Sequence, residues 1–176
     1  MRSFIIILFL SNALFGQVSS KNKKAPKTFS INGKVLITNS YFGGMEPEQG
    51  ELELLSKPGP YSGKVFYVRK GKINDLKSPI VTSFTVNSKG EFSIKLPIGT
   101  FSIIQKEQVK KLNLKEYQLG EYYPVGKECL ENWWRTPYYI LDVKENETYD
   151  LEFNFHRRCF IESDIPCIDY IGPLPP

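Results

Sequence analysis

The sequence predicts an all-β chain folded as a β-sandwich, and three observations carry that expectation. Short segments alternate apolar and polar residues with period two, turn-forming residues separate them every few positions, and aromatic residues reach 14% of the chain, most of them Phe and Tyr. Rings and β-branched side chains pack well on a pleated surface, and many short strands with little helix argue for two packed sheets. With 176 residues, 41% hydrophobic and 24% charged, the chain is one domain's worth and long enough to bury a core.

Strand signals begin at Thr28. In FSINGKVLIT (29–38), Ile31, Gly33, Val35 and Ile37 share one face, and Asn32 and Lys34 lie opposite. A glycine inside a strand marks a bulge or a close approach of backbone. The connection Tyr41–Pro60 contains Gly and Pro and carries a candidate short strand at Glu51–Leu55. GKVFYVRKG (63–71) and Ile80–Val86 read as two further strands. Asn87-Ser88-Lys89-Gly90 then makes a turn whose glycine can take a positive φ. Phe92, Ile94 and Leu96 follow on one face, with Glu91, Ser93 and Lys95 on the other. Leu96-Pro97-Ile98-Gly99 places Pro and Gly where a type I turn favours them, and Phe101 and Ile103 resume the buried face. The stretch 85–103 is therefore expected to be a meander, one side in the core and one in water. Residues 105–120 carry Val109 and Leu112 at helical spacing but no longer stripe, and read as a short helix or a loop. After CLENWWRTP (129–137) comes an expected hairpin: Tyr139, Leu141 and Val143, a turn at Lys144–Glu147, then Tyr149, Leu151, Phe153 and Phe155.

The N-terminus bears on compartment. Arg2, the apolar run Phe4–Leu10 and the small and polar residues after it have the layout of a secretory leader, so residues 1–20 are expected to be removed, after Gly16 or Ser20. Seven apolar residues are too few to cross a bilayer, and no integral membrane segment is expected once the leader is gone. The mature protein is expected to be exported, periplasmic or extracellular. Residues 21–28 read as a flexible basic linker, 29–160 as a single sandwich domain, and 161–176 as a Cys- and Pro-rich tail whose GPLPP end is extended. A net charge of +4 without clustered Lys and Arg gives no footprint for nucleic acid.

INGKV, GKVFYVRKG and VNSKGEFSIKLPIGTFSI together resemble the carboxypeptidase regulatory-like, or transthyretin-like (prealbumin-like, Ig-like), β-sandwich domain over about residues 29–105. The positions carrying the likeness are Gly90, Phe92, Pro97, Gly99 and Phe101, the last standing where the family usually shows Tyr. With an ending such as CIDYIGPLPP, the chain looks like the small secreted Bacteroidetes-type version of this module. The resemblance implies a non-catalytic module, found beside peptidases, on outer-membrane receptors, or alone. The family's enzymatic branch, the hydroxyisourate hydrolases, uses several histidines and a C-terminal Tyr-Arg-Gly-Ser. Here His156 is the single histidine and the sequence ends GPLPP, so that activity is not expected.

Three groups of residues bear on chemistry. Cys129, Cys159 and Cys167 are disulfide candidates, and an odd count leaves one thiol over. On a chain-entropy estimate a Cys159–Cys167 bridge stabilises by roughly 2.5 kcal/mol, and a bridge from Cys129 to either partner by roughly 3.5–4 kcal/mol. The longer bridge is preferred because it ties CLENWW to the tail. No cysteine or histidine spacing fits a metal site, and no cofactor is expected. Trp133, Trp134 and Arg135 form a candidate binding cluster, since paired indoles stack on a sugar or peptide and a guanidinium holds a carboxylate. The competing reading puts one Trp in the core and the other beneath the tail. His156 lies on the polar face of its strand without an identifiable nucleophile and orienting acid, which leaves a small hydrolase as a remote alternative. The expected function is a non-catalytic secreted module that binds, or that serves as a structural or accessory part of the envelope. Its expected partners are an envelope protein, a glycan or a peptide.

Overall fold

The computed structural model describes residues 26–41, 47–111, 113, 122–124, 126–161 and 163–173. The expected leader, most of the basic linker, the end of the GPLPP tail and much of 105–120 lie outside them. The elements run β1 (Thr28–Asn39), α1 (Gln49–Ser56), β2 (Gly59–Pro60), β3 (Val65–Lys70), β4 (Ile80–Thr85), β5 (Glu91–Pro97) and β6 (Gly99–Gln105). A 3-10 turn at Lys106–Gln108 follows, then β7 (Tyr122–Pro124), α2 (Lys127–Arg135), β8 (Tyr139–Val143), β9 (Tyr149–Arg157) and β10 (Ile168–Tyr170). The fold is the all-β sandwich that the alternation predicts.

One sheet is built around β1. Its residues Thr28–Lys34 pair antiparallel with β5, and Leu36 and Ile37 pair with β2 further along the same edge. On the other edge β9 runs parallel to β1, from Ile31 opposite Tyr149 to Asn39 opposite Arg157. The second sheet has the order β4-β3-β6-β8, antiparallel throughout. A small third sheet joins β7 to β10.

Two expectations about pairing are corrected by this topology. The stretch 85–103 is not a meander, because β4 and β6 belong to one sheet while β5, between them, belongs to the other. The turns at Asn87–Gly90 and Pro97–Gly99 carry the chain across the sandwich rather than back along a neighbour. Likewise β8 and β9 are not a hairpin: β8 pairs with β6 and β9 with β1. Alternation reports which side of a strand is apolar, and it is the same whether the next strand lies beside it or across the core. Gly90 and Gly99 hold φ of +80° and +148°, a region that costs other residues strain. A further correction concerns Glu51–Leu55, which is helical and lies within α1. Glu and Leu are strong helix formers, and with no partner strand alongside, local propensity wins.

The apolar faces fall where the alternation places them. Ile31, Val35 and Ile37 of β1, Phe92, Ile94 and Leu96 of β5, and Tyr149, Phe153 and Phe155 of β9 are buried against Phe66, Val68, Phe84, Phe101, Ile103, Leu141 and Val143 of the opposing sheet. Rings bridge the layers. Phe66 stacks on Phe84 at 5.2 Å between centroids, Phe84 on Phe92 at 4.3 Å, and Phe92 on Phe153 at 5.7 Å. Such offset pairs add about 0.5–1.5 kcal/mol each beyond their burial. One departure is β6, whose Ser102, Ile104 and Gln105 are buried as well as Phe101 and Ile103, so both of its faces are covered.

Gly33 explains itself here. A Cβ on it would lie 2.4 Å from the carbonyl oxygen of Leu151 and 2.7 Å from Cζ of Phe92. The glycine lets β9 and the Phe92 ring close on β1 together. Gly33→Ala is expected to lower unfolding free energy by about 1–3 kcal/mol, as overpacking does, measured as a lower urea midpoint with an unchanged slope.

Candidate functional site

The Trp133-Trp134-Arg135 cluster forms the last turn of α2. Trp134 is only 9% exposed, and its indole Nε1 donates to the carbonyl of Lys110 at 2.8 Å. Trp133 is partly buried and packs on Leu130, Ile165, Cys167 and Ile168. Arg135 is exposed. The two indoles thus face different surroundings and do not present one joint stacking surface.

Helix ends leave carbonyls without intrahelical partners. At the end of α2 those carbonyls are met by buried amide groups from distant loops. Gln108 donates through Nε2 to the carbonyls of Trp133 and Thr136, both at 2.7 Å, and Asn74 donates through Nδ2 to that of Trp134 at 2.7 Å. The backbone N–H of Asn74 reaches the Arg135 carbonyl at 3.0 Å. Asn74 and Gln108 are each 1% exposed. Gln108 Oε1 also accepts from the backbone N–H of Gln105, which fixes the helix to the end of β6. Arg69, buried on the neighbouring strand, donates to the carbonyls of Ser78 and Val109.

The tail is tied back over this helix. Cys129 and Cys167 form a disulfide with Cα atoms 5.8 Å apart, closing a separation of 38 residues and leaving Cys159 as the free thiol. The longer of the bridges open to the sequence is therefore the one formed. Arg158 donates to the carbonyls of Ile165 and Pro166. Cys159 donates its thiol to the Tyr41 carbonyl.

A second cluster lies where the tail crosses the sandwich, in an open pocket of about 500 Å³ lined by Tyr61, Lys64, Glu107, Ser163, Asp164 and their neighbours. Lys64 Nζ contacts Asp164 Oδ2 at 2.5 Å, and the two side chains are 9% and 10% exposed. The same Nζ donates to Gln105 Oε1 at 3.1 Å and lies 3.7 Å from Glu107 Oε2. The Tyr61 hydroxyl donates to Asp164 Oδ2 at 2.8 Å. The rings of Tyr61 and Phe155 lie 5.6 and 5.5 Å from the ammonium. Burial, then the hydrogen bond and charge of Asp164, push the Tyr61 phenol up to about 12, against a smaller opposite effect from Arg157. Nothing in the sequence signals this cluster, whose members come from three distant segments and are ordinary in type.

His156 is exposed on β9, with Nδ1 2.9 Å from Thr38 Oγ1 and Nε2 2.8 Å from Ser40 Oγ. The parallel pairing of β1 and β9 brings Ser40 to the ring, a neighbour sequence reasoning missed. A hydroxyl rather than a carboxylate faces Nδ1, so the pair has no orienting acid. Among the described residues, no group of three or more His, Cys, Asp and Glu is placed to hold a metal ion.

Two outcomes are expected. Gln108→Leu orphans two carbonyls and should destabilise by about 1–3 kcal/mol, with tryptophan emission shifting to the red as Trp134 loosens. For Tyr61, the folded phenol titrates above the unfolded one, whose ordinary value is 10.0. The native state then holds its proton longer, so its contribution is fully present below pH 10 and is lost as pH rises towards about 12. Tyr61→Phe should flatten the fall in stability across that window, measured by urea unfolding at stepped pH.

No family model matches the chain, and no curated protein does. Among solved structures, shaft pilin SpaA from Lactobacillus rhamnosus GG aligns with 75% of this chain at 9% identity and a TM-score of 0.40, and this chain spans about half, 52%, of that protein. The N-terminal domain of the same pilin aligns with 72% at 11% identity and a TM-score of 0.34, covering 92% of that domain. The Bacillus anthracis TIE protein aligns with 73% at 12% identity and a TM-score of 0.31, over 16% of its own length. Likenesses this weak say nothing of what the chain binds.

Proposed function

We propose that the chain is an exported, non-catalytic β-sandwich module that acts by binding or as a structural or accessory part of the cell envelope. The observation that carries this reading is how its polar side chains are spent. Asn74 and Gln108 close the end of α2, and Tyr61 and Lys64 hold Asp164 of the tail, so the groups with most chemical potential are engaged in joining segments of the same chain. The Cys129–Cys167 disulfide supports export, since such bonds form and persist in oxidising compartments. Among the described residues no helix is long and apolar enough to cross a membrane. An envelope protein, a glycan or a peptide is the kind of partner such a module would meet there.

The test is fractionation of cells producing the full chain, with thiol labelling of each fraction. The expected outcome is protein outside the cytoplasm carrying one alkylatable cysteine, Cys159. Retention in the cytoplasm with all three cysteines reactive would count against the reading. So would ester or amide turnover by the pure protein that disappears in Ser40→Ala and His156→Ala.

A further inference from the structure

The pocket where the tail crosses the sandwich holds a lysine, two carboxyl groups and a phenol in mutual reach. We propose that Lys64 and Asp164 condense to an intramolecular amide, with Glu107 moving the proton, so that the tail is covalently joined to the sandwich.

The geometry supplies each part. Lys64 Nζ and Asp164 Oδ2 are in direct contact, 2.5 Å apart. Both side chains are about nine-tenths buried, with the Phe155 ring against the amine. Amide formation requires that one proton pass from the ammonium to the carboxylate, on Oδ1, which frees the amine to attack. Glu107 Oε2 is buried, lacks a hydrogen-bond partner and sits 3.7 Å from Nζ, placed to accept a proton from that nitrogen. The Tyr61 hydroxyl already donates to Oδ2, where negative charge develops when the carbonyl is attacked. Its phenol stays protonated far above neutrality, so this donor is present throughout.

The step balances without any outside reagent. With that proton on Oδ1, Nζ attacks Cγ of the Asp164 carboxyl, forming the C–N bond and placing negative charge on Oδ2 beside Tyr61. Glu107 takes a proton from the nitrogen and returns it to the other carboxyl oxygen, which leaves as water when its C–O bond breaks. An ammonium and a carboxylate become one neutral amide and one water. Nothing is oxidised or reduced, and Glu107 ends as it began.

The experiment is intact mass spectrometry of the purified full chain, denatured and reduced, followed by a protease digest. The expected mass is one water below that calculated for the purified chain from its determined N-terminus, with a branched peptide joining the Lys64 segment to the Asp164 segment. Lys64→Arg and Asp164→Ala should each restore the full mass. Glu107→Gln should restore it while keeping the circular dichroism of the native protein. Full, unreduced mass in folded wild-type protein after prolonged incubation would overturn the proposal. Loss of water that persists in Lys64→Arg would overturn it too, by pointing to a dehydration elsewhere.

Discussion

Contact between rings across the layers is what the sandwich stands on. Phe66 and Phe84 come from one sheet, Phe92 and Phe153 from the other, and each stacks or tilts against its neighbour within 4.3–5.7 Å. Burying one such side chain contributes roughly 1.5–3 kcal/mol, a large share of the few kcal/mol by which a domain is stable. The spacing this stack demands is set elsewhere, at Gly33. Only a residue with no side chain lets the Leu151 carbonyl and the Phe92 ring approach β1 from two directions. The parallel pairing of β1 with β9 and the placement of the ring stack are thus one constraint seen from two sides.

The end of α2 obeys a different rule. There the helix ends against the buried side chains of Asn74 and Gln108, with its own Trp134 buried beside them. Its carbonyls must be answered by protein, and Asn74 and Gln108 do so from loops about sixty and twenty-five residues away in sequence. The Gln105–Gln108 contact then connects the helix end to the Lys64 cluster, so the polar network runs from α2 to the tail.

What could be read from sequence divides along physical lines. The inward faces of β1, β5 and β9 were legible because period-two alternation is local. Which strands pair was not, because Asn87–Gly90 and Pro97–Gly99 turn the chain equally well toward a neighbour or across the core. Glu51–Leu55 misled because alternating Glu and Leu satisfies strand and helix patterns alike. A bridge from Cys129 was favoured by the loop it closes and the need to anchor the tail, but the choice of Cys167 over Cys159 came only with the fold. Asn74, Gln108, Tyr61, Lys64 and Asp164 were silent, since a buried amide or ion pair is defined by partners far along the chain. His156 was placed on the polar face correctly, and its hydroxyl neighbours came only with the pairing of β1 and β9.

The parallel pair has a mechanical side. Because β1 and β9 point the same way, tension applied at Thr28 and beyond Arg157 pulls them past each other lengthwise. All the hydrogen bonds of the pair, from Ile31 beside Tyr149 to Asn39 beside Arg157, then resist at once instead of opening one after another like a zip.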